Sequence, residues 1–153
     1  MGQIQNYVDE DLFRFILDLE LQKALRLQYY VSVVCFTPDP VPGNADASLL
    51  RHMAQRTLRL LRATDVATTF SDTTNCIGLL LVDAEARSLP GIVSRVRELP
   101  AGPEGDREER LSWSAGGSCY PQTVTSAQGL LAQATDLMTR AKAEGGNRVC
   151  LPS

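Results

Sequence analysis

Two side chains in this sequence could grip an anion or a purine edge: Arg62 and, three residues on, Asp65. An arginine presents a planar fork of N–H donors that fits a phosphate or the O6/N7 edge of a guanine. An aspartate accepts from N–H donors such as guanine N1–H and N2–H. An Arg-x-x-Asp spacing alone is common, and the pair also reads as a solvated ion pair at a helix end that contributes little. What distinguishes it is its place. It precedes the strand-like run Val66–Phe70, a polar turn Ser71–Asn75 and a second apolar run Ile77–Val82, which together read as a hairpin. Asp72 is the only carboxylate in that turn, and Asp39 sits among prolines; both read as turn residues. The single histidine, His52, has no neighbouring nucleophile motif and reads as a surface or boundary residue. Cys35, Cys76, Cys119 and Cys150 are widely spaced, with no CxxC pair, so they read as reduced cysteines in or near strands and not as a zinc site.

The chain of 153 residues has the size of one domain, and we expect residues 1–153 to form a single one. Its net charge of −3 leaves no basic stripe for duplex nucleic acid, although a small anionic ligand needs only two or three arginines. Met1–Asp11 is polar and acidic, without the apolar core of a signal peptide. No apolar run approaches the roughly 20 residues of a membrane span. These features point to a cytoplasmic protein.

The elements that must position Arg62 and Asp65 follow from periodicity. Leu12, Phe13, Ile16, Leu19, Ala24 and Leu25 recur at helical spacing between Asp9 and Tyr29, with Asp9 or Asp11 as cap. Tyr30–Phe36 is a near-continuous apolar run suited to a buried central strand, and Thr37–Asn44 is a proline-rich loop. Asp46 or Ser48 caps a second helix over Ala47–Ala63, which would deliver Arg62 at its end. After the hairpin comes a helix over Leu89–Leu99, with Arg95 and Arg97 facing outward, and a loop over Pro100–Asp106. A half-buried strand, in which Leu111, Trp113 and Ala115 alternate with serines, runs on to Tyr120-Pro121. Thr125 or Ser126 caps a last helix that reaches about Ala143 and is ended by Gly145-Gly146; Asn147–Leu151 is a final strand. The order αβαββαβαβ predicts an α/β fold of the palm or ferredoxin-like kind, a central sheet flanked by helices, because the hairpin interrupts the alternation of a doubly wound sheet.

The C-terminal third resembles the end of a diguanylate cyclase (GGDEF) domain. That family has a strand like "SxGxA", a YP step and a helix like "LLxxADxAxYxAKxxGxNRV". This chain has Ser114-Ala115-Gly116-Gly117, Tyr120-Pro121, Leu130-Leu131-Ala132-Gln133-Ala134-Thr135-Asp136, and Arg140-Ala141-Lys142-Ala143-Glu144-Gly145-Gly146-Asn147-Arg148-Val149. Phe13, Leu17, Glu20-Leu21, Lys23-Ala24 and Arg26 resemble the family's first helix, and Val31–Phe36 its first strand, so the likeness covers nearly the whole chain in order.

The resemblance implies a domain that condenses two GTP molecules to cyclic di-GMP on carboxylate-held metal ions. The departures argue against that activity here. Thr37 stands where the first metal carboxylate is expected, and Asp39 lies nearby, just before Pro40. The helix that contacts guanine is replaced by the short run Pro40–Ala45, with Asp46 aligning near its end. Where the family reads GGDEF or GGEEF, this chain reads Ser71-Asp72-Thr73-Thr74-Asn75-Cys76. The expectation is therefore no cyclase activity, no catalytic residue, no metal ligand and no cofactor. What the resemblance retains is a product-binding inhibitory site: Arg62 and Asp65 match its R-x-x-D, five residues before the signature position. Ile92-Val93-Ser94-Arg95-Val96-Arg97 matches the helix that supplies a second arginine, Arg95. This implies a receptor for cyclic di-GMP, bound as a stacked dimer, that acts through homodimerisation or a protein partner. Two alternatives stay open: a dimerisation or docking module that binds no nucleotide, and a weak GTP-binding domain using Asp39 and Asp72. Trp113 is expected in the core, and Asn147 and Arg148 in structural roles.

Overall fold

The β-branched and aromatic run after the first helix forms strand β1, Val31–Pro38, and every residue in it is buried. In the computed structural model, which describes residues 6–39, 47–70, 75–98 and 112–152, β1 is the centre of a five-stranded sheet. It continues past Phe36, where the proline-rich loop was expected to begin, because Thr37 and Pro38 still pair with Ser114 and Trp113. Proline lacks an N–H, so a strand end is where it is tolerated.

The remaining strands are β2 (Val66–Phe70), β3 (Cys76–Val82), β4 (Trp113–Tyr120) and β5 (Val149–Cys150). β4 is buried from Trp113 to Cys119 and not half-buried as its alternation suggested, because its serines are covered too. Their spatial order is β2-β3-β1-β4-β5; the first three neighbour pairs are antiparallel and β4–β5 is parallel. β2 and β3 form the anticipated hairpin, with Phe70 opposite Cys76. All four cysteines lie in strands as free thiols.

Helices cover both faces. Alternation along β1 sends Val33 and Cys35 to one side and Val34 and Phe36 to the other. On the first side lie α1 (Glu10–Leu27) and α4 (Ala127–Ala143), packing Phe13, Leu17, Leu130 and Met138. On the second lie α2 (Ala47–Leu58) and α3 (Leu89–Arg97), packing Leu50, Met53, Val93 and Val96. Burying each such side chain stabilises the fold by about 2 kcal/mol. Trp113 is core, edge-on to Phe36 with ring centroids 5.5 Å apart. Gly116 lets α4 lie directly on β4, since a Cβ there would overlap Met138 N and Ala134 O.

The helix ends carry their own chemistry. Asp9 caps α1 by accepting from Leu12 N–H at 2.8 Å, and Ser126 caps α4 by accepting from Gly129 N–H at 2.9 Å. Gly145 and Gly146, at φ of 120° and 75°, end α4. One boundary departs from the sequence reading. α2 stops at Leu58, not Ala63, because the chain tightens into three-residue bonds from Arg59, Leu60 and Leu61 N–H to Arg56, Thr57 and Leu58 C=O. Arg62 and Asp65 therefore sit in a turn between α2 and β2.

The loops expected at 40–45 and 100–106, the cap Asp46, and the hairpin turn 71–74 with Asp72 lie outside the described residues. No helix among the described residues is long and apolar enough to cross a membrane.

Candidate functional site

The turn after α2 closes on itself and on the end of β3. Asp65 N–H donates to Arg62 C=O at 3.0 Å, and Arg62 N–H donates back to Asp65 Oδ2 at 3.0 Å. Val82 N–H donates to Asp65 Oδ1 at 3.0 Å, while Arg62 Nη2 donates to Val82 C=O at 2.6 Å. Asn6 Nδ2 adds bonds to Ala63 C=O and Asp65 C=O. The pair thus holds both polar backbone groups of Val82 and fixes where β3 ends.

The two side chains play unequal parts. Asp65 is only 3% exposed, with each carboxylate oxygen engaged by a backbone N–H. Its burial pushes the carboxyl above its ordinary range, and the bonds from Val82 and Arg62 only partly offset this. Arg62 is exposed and lines an open groove of about 550 Å³. Arg95, on α3, lines the same groove. Of the three residues expected to bind a ligand, the structure brings Arg62 and Arg95 to one groove and sets the Asp65 carboxylate behind it, as the clasp of the turn.

Two further charged residues of the groove escaped the sequence reading, Asp83 and Arg87. Asp83 follows β3 with a left-handed φ of 60°, and its N–H bonds Tyr30 C=O at 2.6 Å. Arg87 lies in the short 3-10 turn Ala86–Ser88 that leads into α3 and pairs with Glu85 at 3.2 Å on an exposed surface. The signal for Arg87 was present: Arg87, Gly91 and Arg95 recur every four residues, which stacks them along one helical face. Nothing lies within 4 Å of where a Gly91 side chain would begin, so the two arginines flank an open gap. Three guanidinium groups and one carboxylate make a positive, fork-lined concavity suited to phosphate and purine edges.

Asp39 behaves differently from the turn residue it was expected to be. It is buried at the end of β1, where Ser114 Oγ donates to Oδ1 at 2.5 Å, and Ser112 Oγ (2.6 Å) and Asn147 N–H (2.8 Å) donate to Oδ2. Burial alone would raise its carboxyl, but those three bonds and the charge of Lys142 together bring it below the ordinary value. Both oxygens are engaged in joining β1, β4 and the approach to β5. Asn147 also accepts from Arg97 through its side-chain oxygen and its C=O, and Arg148 pairs loosely with Glu144 at 3.7 Å, both structural roles. His52 is half-buried on α2.

No family model and no curated protein matches the chain. Solved structures do. The chain superposes on the GGDEF domain of YfiN (TpbB) from Pseudomonas aeruginosa with a TM-score of 0.78 at 19% identity, covering 95% of this chain and 96% of that one. The active GGEEF domain of a diguanylate cyclase from Vibrio cholerae gives 0.77 at 14% identity, over 94% and 96%. The GGDEF domain of DgcB from Caulobacter crescentus, in complex with c-di-GMP, gives 0.72 at 12% identity, over 99% and 92%. The chain has the palm-like fold of GGDEF domains.

Proposed function

We propose that this chain is a cyclic di-GMP receptor without cyclase activity, which holds the nucleotide in the groove of Arg62 and Arg95 and passes the signal on by dimerisation or by engaging a protein partner. The observation that carries this reading is the meeting of Arg62, Arg87 and Arg95 around one open groove, lined among the described residues by a single carboxylate, Asp83. Cyclic di-GMP offers two phosphates and two guanine O6/N7 edges, and a stacked pair doubles that number, so several arginine forks can be used at once. Asp65 belongs to the site as the residue that fixes the turn from which Arg62 extends. The c-di-GMP complex of the similar DgcB domain supports the ligand class. The absence of catalysis rests on Ser71–Cys76 replacing the GGDEF signature and on Thr37 standing at the first metal position.

Isothermal titration calorimetry with cyclic di-GMP tests the receptor reading. The expected result is micromolar or tighter binding, about 8 kcal/mol or more, that Arg62→Ala abolishes. No heat from the wild-type chain at high ligand concentration overturns it. Incubation with GTP and Mg²⁺ tests the other half, with no cyclic di-GMP expected; steady product formation would contradict it. A second reading, a docking module indifferent to nucleotides, draws on the burial of Asp65, which removes one ligand group of the pattern from the groove. It predicts silence in the same titration.

A further inference from the structure

The helix α1 turns two apolar faces outward from its axis, and the fold uses one. Phe13, Leu17 and Ala24 are buried against the sheet and α4. On the other side Leu12, Phe15 and Leu19 are 44%, 63% and 46% exposed. Their spacing of three and four residues puts them on one stripe, as in the seam of a helix pair. Among the described residues, Leu12, Phe15, Leu19, Leu25 and Leu27 are all on α1, and Leu60 is the only exposed large hydrophobic elsewhere. Scattered exposed leucines are ordinary, whereas concentration on one helix marks an interaction surface.

We propose that this stripe pairs with α1 of a second copy of the chain, the two helices running in opposite directions. Charge selects that occupant. α1 is acidic in its first turn (Glu10, Asp11) and basic in its last (Arg26), with Lys23 nearby. Glu10 and Lys23 are already paired within the chain, to Arg14 at 3.0 Å and to Glu20 at 3.3 Å. Asp11 and Arg26 are exposed and form no ion pair with any described residue. Two antiparallel copies with Phe15 across Leu19 of the second copy set each Asp11 opposite Lys23 of the second copy, one helical turn from its Arg26 and within reach of that long side chain, and oppose the helix dipoles. A parallel pair would set like ends together. The stripe shares no residue with the arginine groove, so this pairing does not rest on nucleotide binding.

The test is sedimentation equilibrium of the full chain without nucleotide, over a hundredfold range of concentration. The expected result is a mass rising to twice the 16.7 kDa of the chain. Phe15→Glu with Leu19→Glu should hold it at monomer mass while the circular dichroism spectrum and melting stay as in wild type, because both side chains face water. Asp11→Arg should weaken the dimer about tenfold, and Asp11→Arg with Arg26→Asp should restore it. A chain that stays monomeric throughout, a dimer indifferent to the Phe15 and Leu19 changes, or a double swap that fails to restore the dimer each overturns the proposal.

Discussion

Asp39 and Asp65 are the two buried aspartates among the described residues, and their carboxyls shift in opposite directions. Asp39, at the junction of β1 and β4, receives two hydroxyl donors and one backbone N–H and feels Lys142. Asp65, in the turn before β2, receives two backbone N–H bonds, and its burial dominates. A buried carboxyl falls below its ordinary value where the donors and charge converging on it outweigh its desolvation, as at Asp39, and rises where desolvation wins, as at Asp65. It also separates roles: one aspartate fastens the sheet, and the other shapes the loop that carries Arg62 to the groove.

Removal of each carboxylate should have the largest effect. Asp39→Ala strands three donors and should lower stability by about 3 kcal/mol in urea unfolding. Asp65→Ala strands two and should cost about 2 kcal/mol. Equal losses would undo the contrast.

The pH dependence sharpens it. Asp39 titrates below its ordinary value of 3.8, so its stabilisation is full above that value and is lost as pH falls through the lower folded value. The cost of Asp39→Asn should therefore shrink on acidification. Asp65 titrates above its ordinary value of 3.8, so the protonated form is favoured in the fold; its contribution is full below 3.8 and is lost as pH rises through the raised value. The cost of Asp65→Asn should shrink as pH rises. The losses of unfolding free energy relative to wild type should slope in opposite directions across the acid range for the two variants, and parallel slopes would contradict the assignment.

The smallest effect belongs to the groove. Arg87→Ala and Arg95→Ala remove exposed side chains and should change stability by no more than about 0.5 kcal/mol. Their thermal melts should overlay the wild type, in contrast to the aspartate variants.

Much of this was legible in the sequence. The strand at Val31 and the hairpin follow from short, nearly continuous apolar runs that a sheet covered on both faces demands, and the helices from their 3.6 period and caps. The end of α2 was not legible: Leu58, Leu60 and Leu61 keep helical spacing through a stretch whose backbone has already tightened into three-residue bonds. The fate of Asp65 was hidden for a related reason. Its second partner is the N–H of Val82, distant in sequence, and only the register of β2 on β3 brings that group within reach. Asp39 looked like a loop residue because of the prolines around it, while the serines that bind it stand on the neighbouring strand. Asp83 was hidden because a connection without periodicity carries it to the groove, whereas Arg87 was legible in its four-residue spacing from Gly91 and Arg95.

The most direct test of the central claim is a heteronuclear NMR titration of the chain with cyclic di-GMP, following backbone amides and arginine side-chain N–H signals. The account predicts saturable shifts concentrated at Arg62–Asp65 and from Asp83 to Arg95, with little change along α1. Spectra unchanged at millimolar ligand, or shifts confined to another surface, would contradict it.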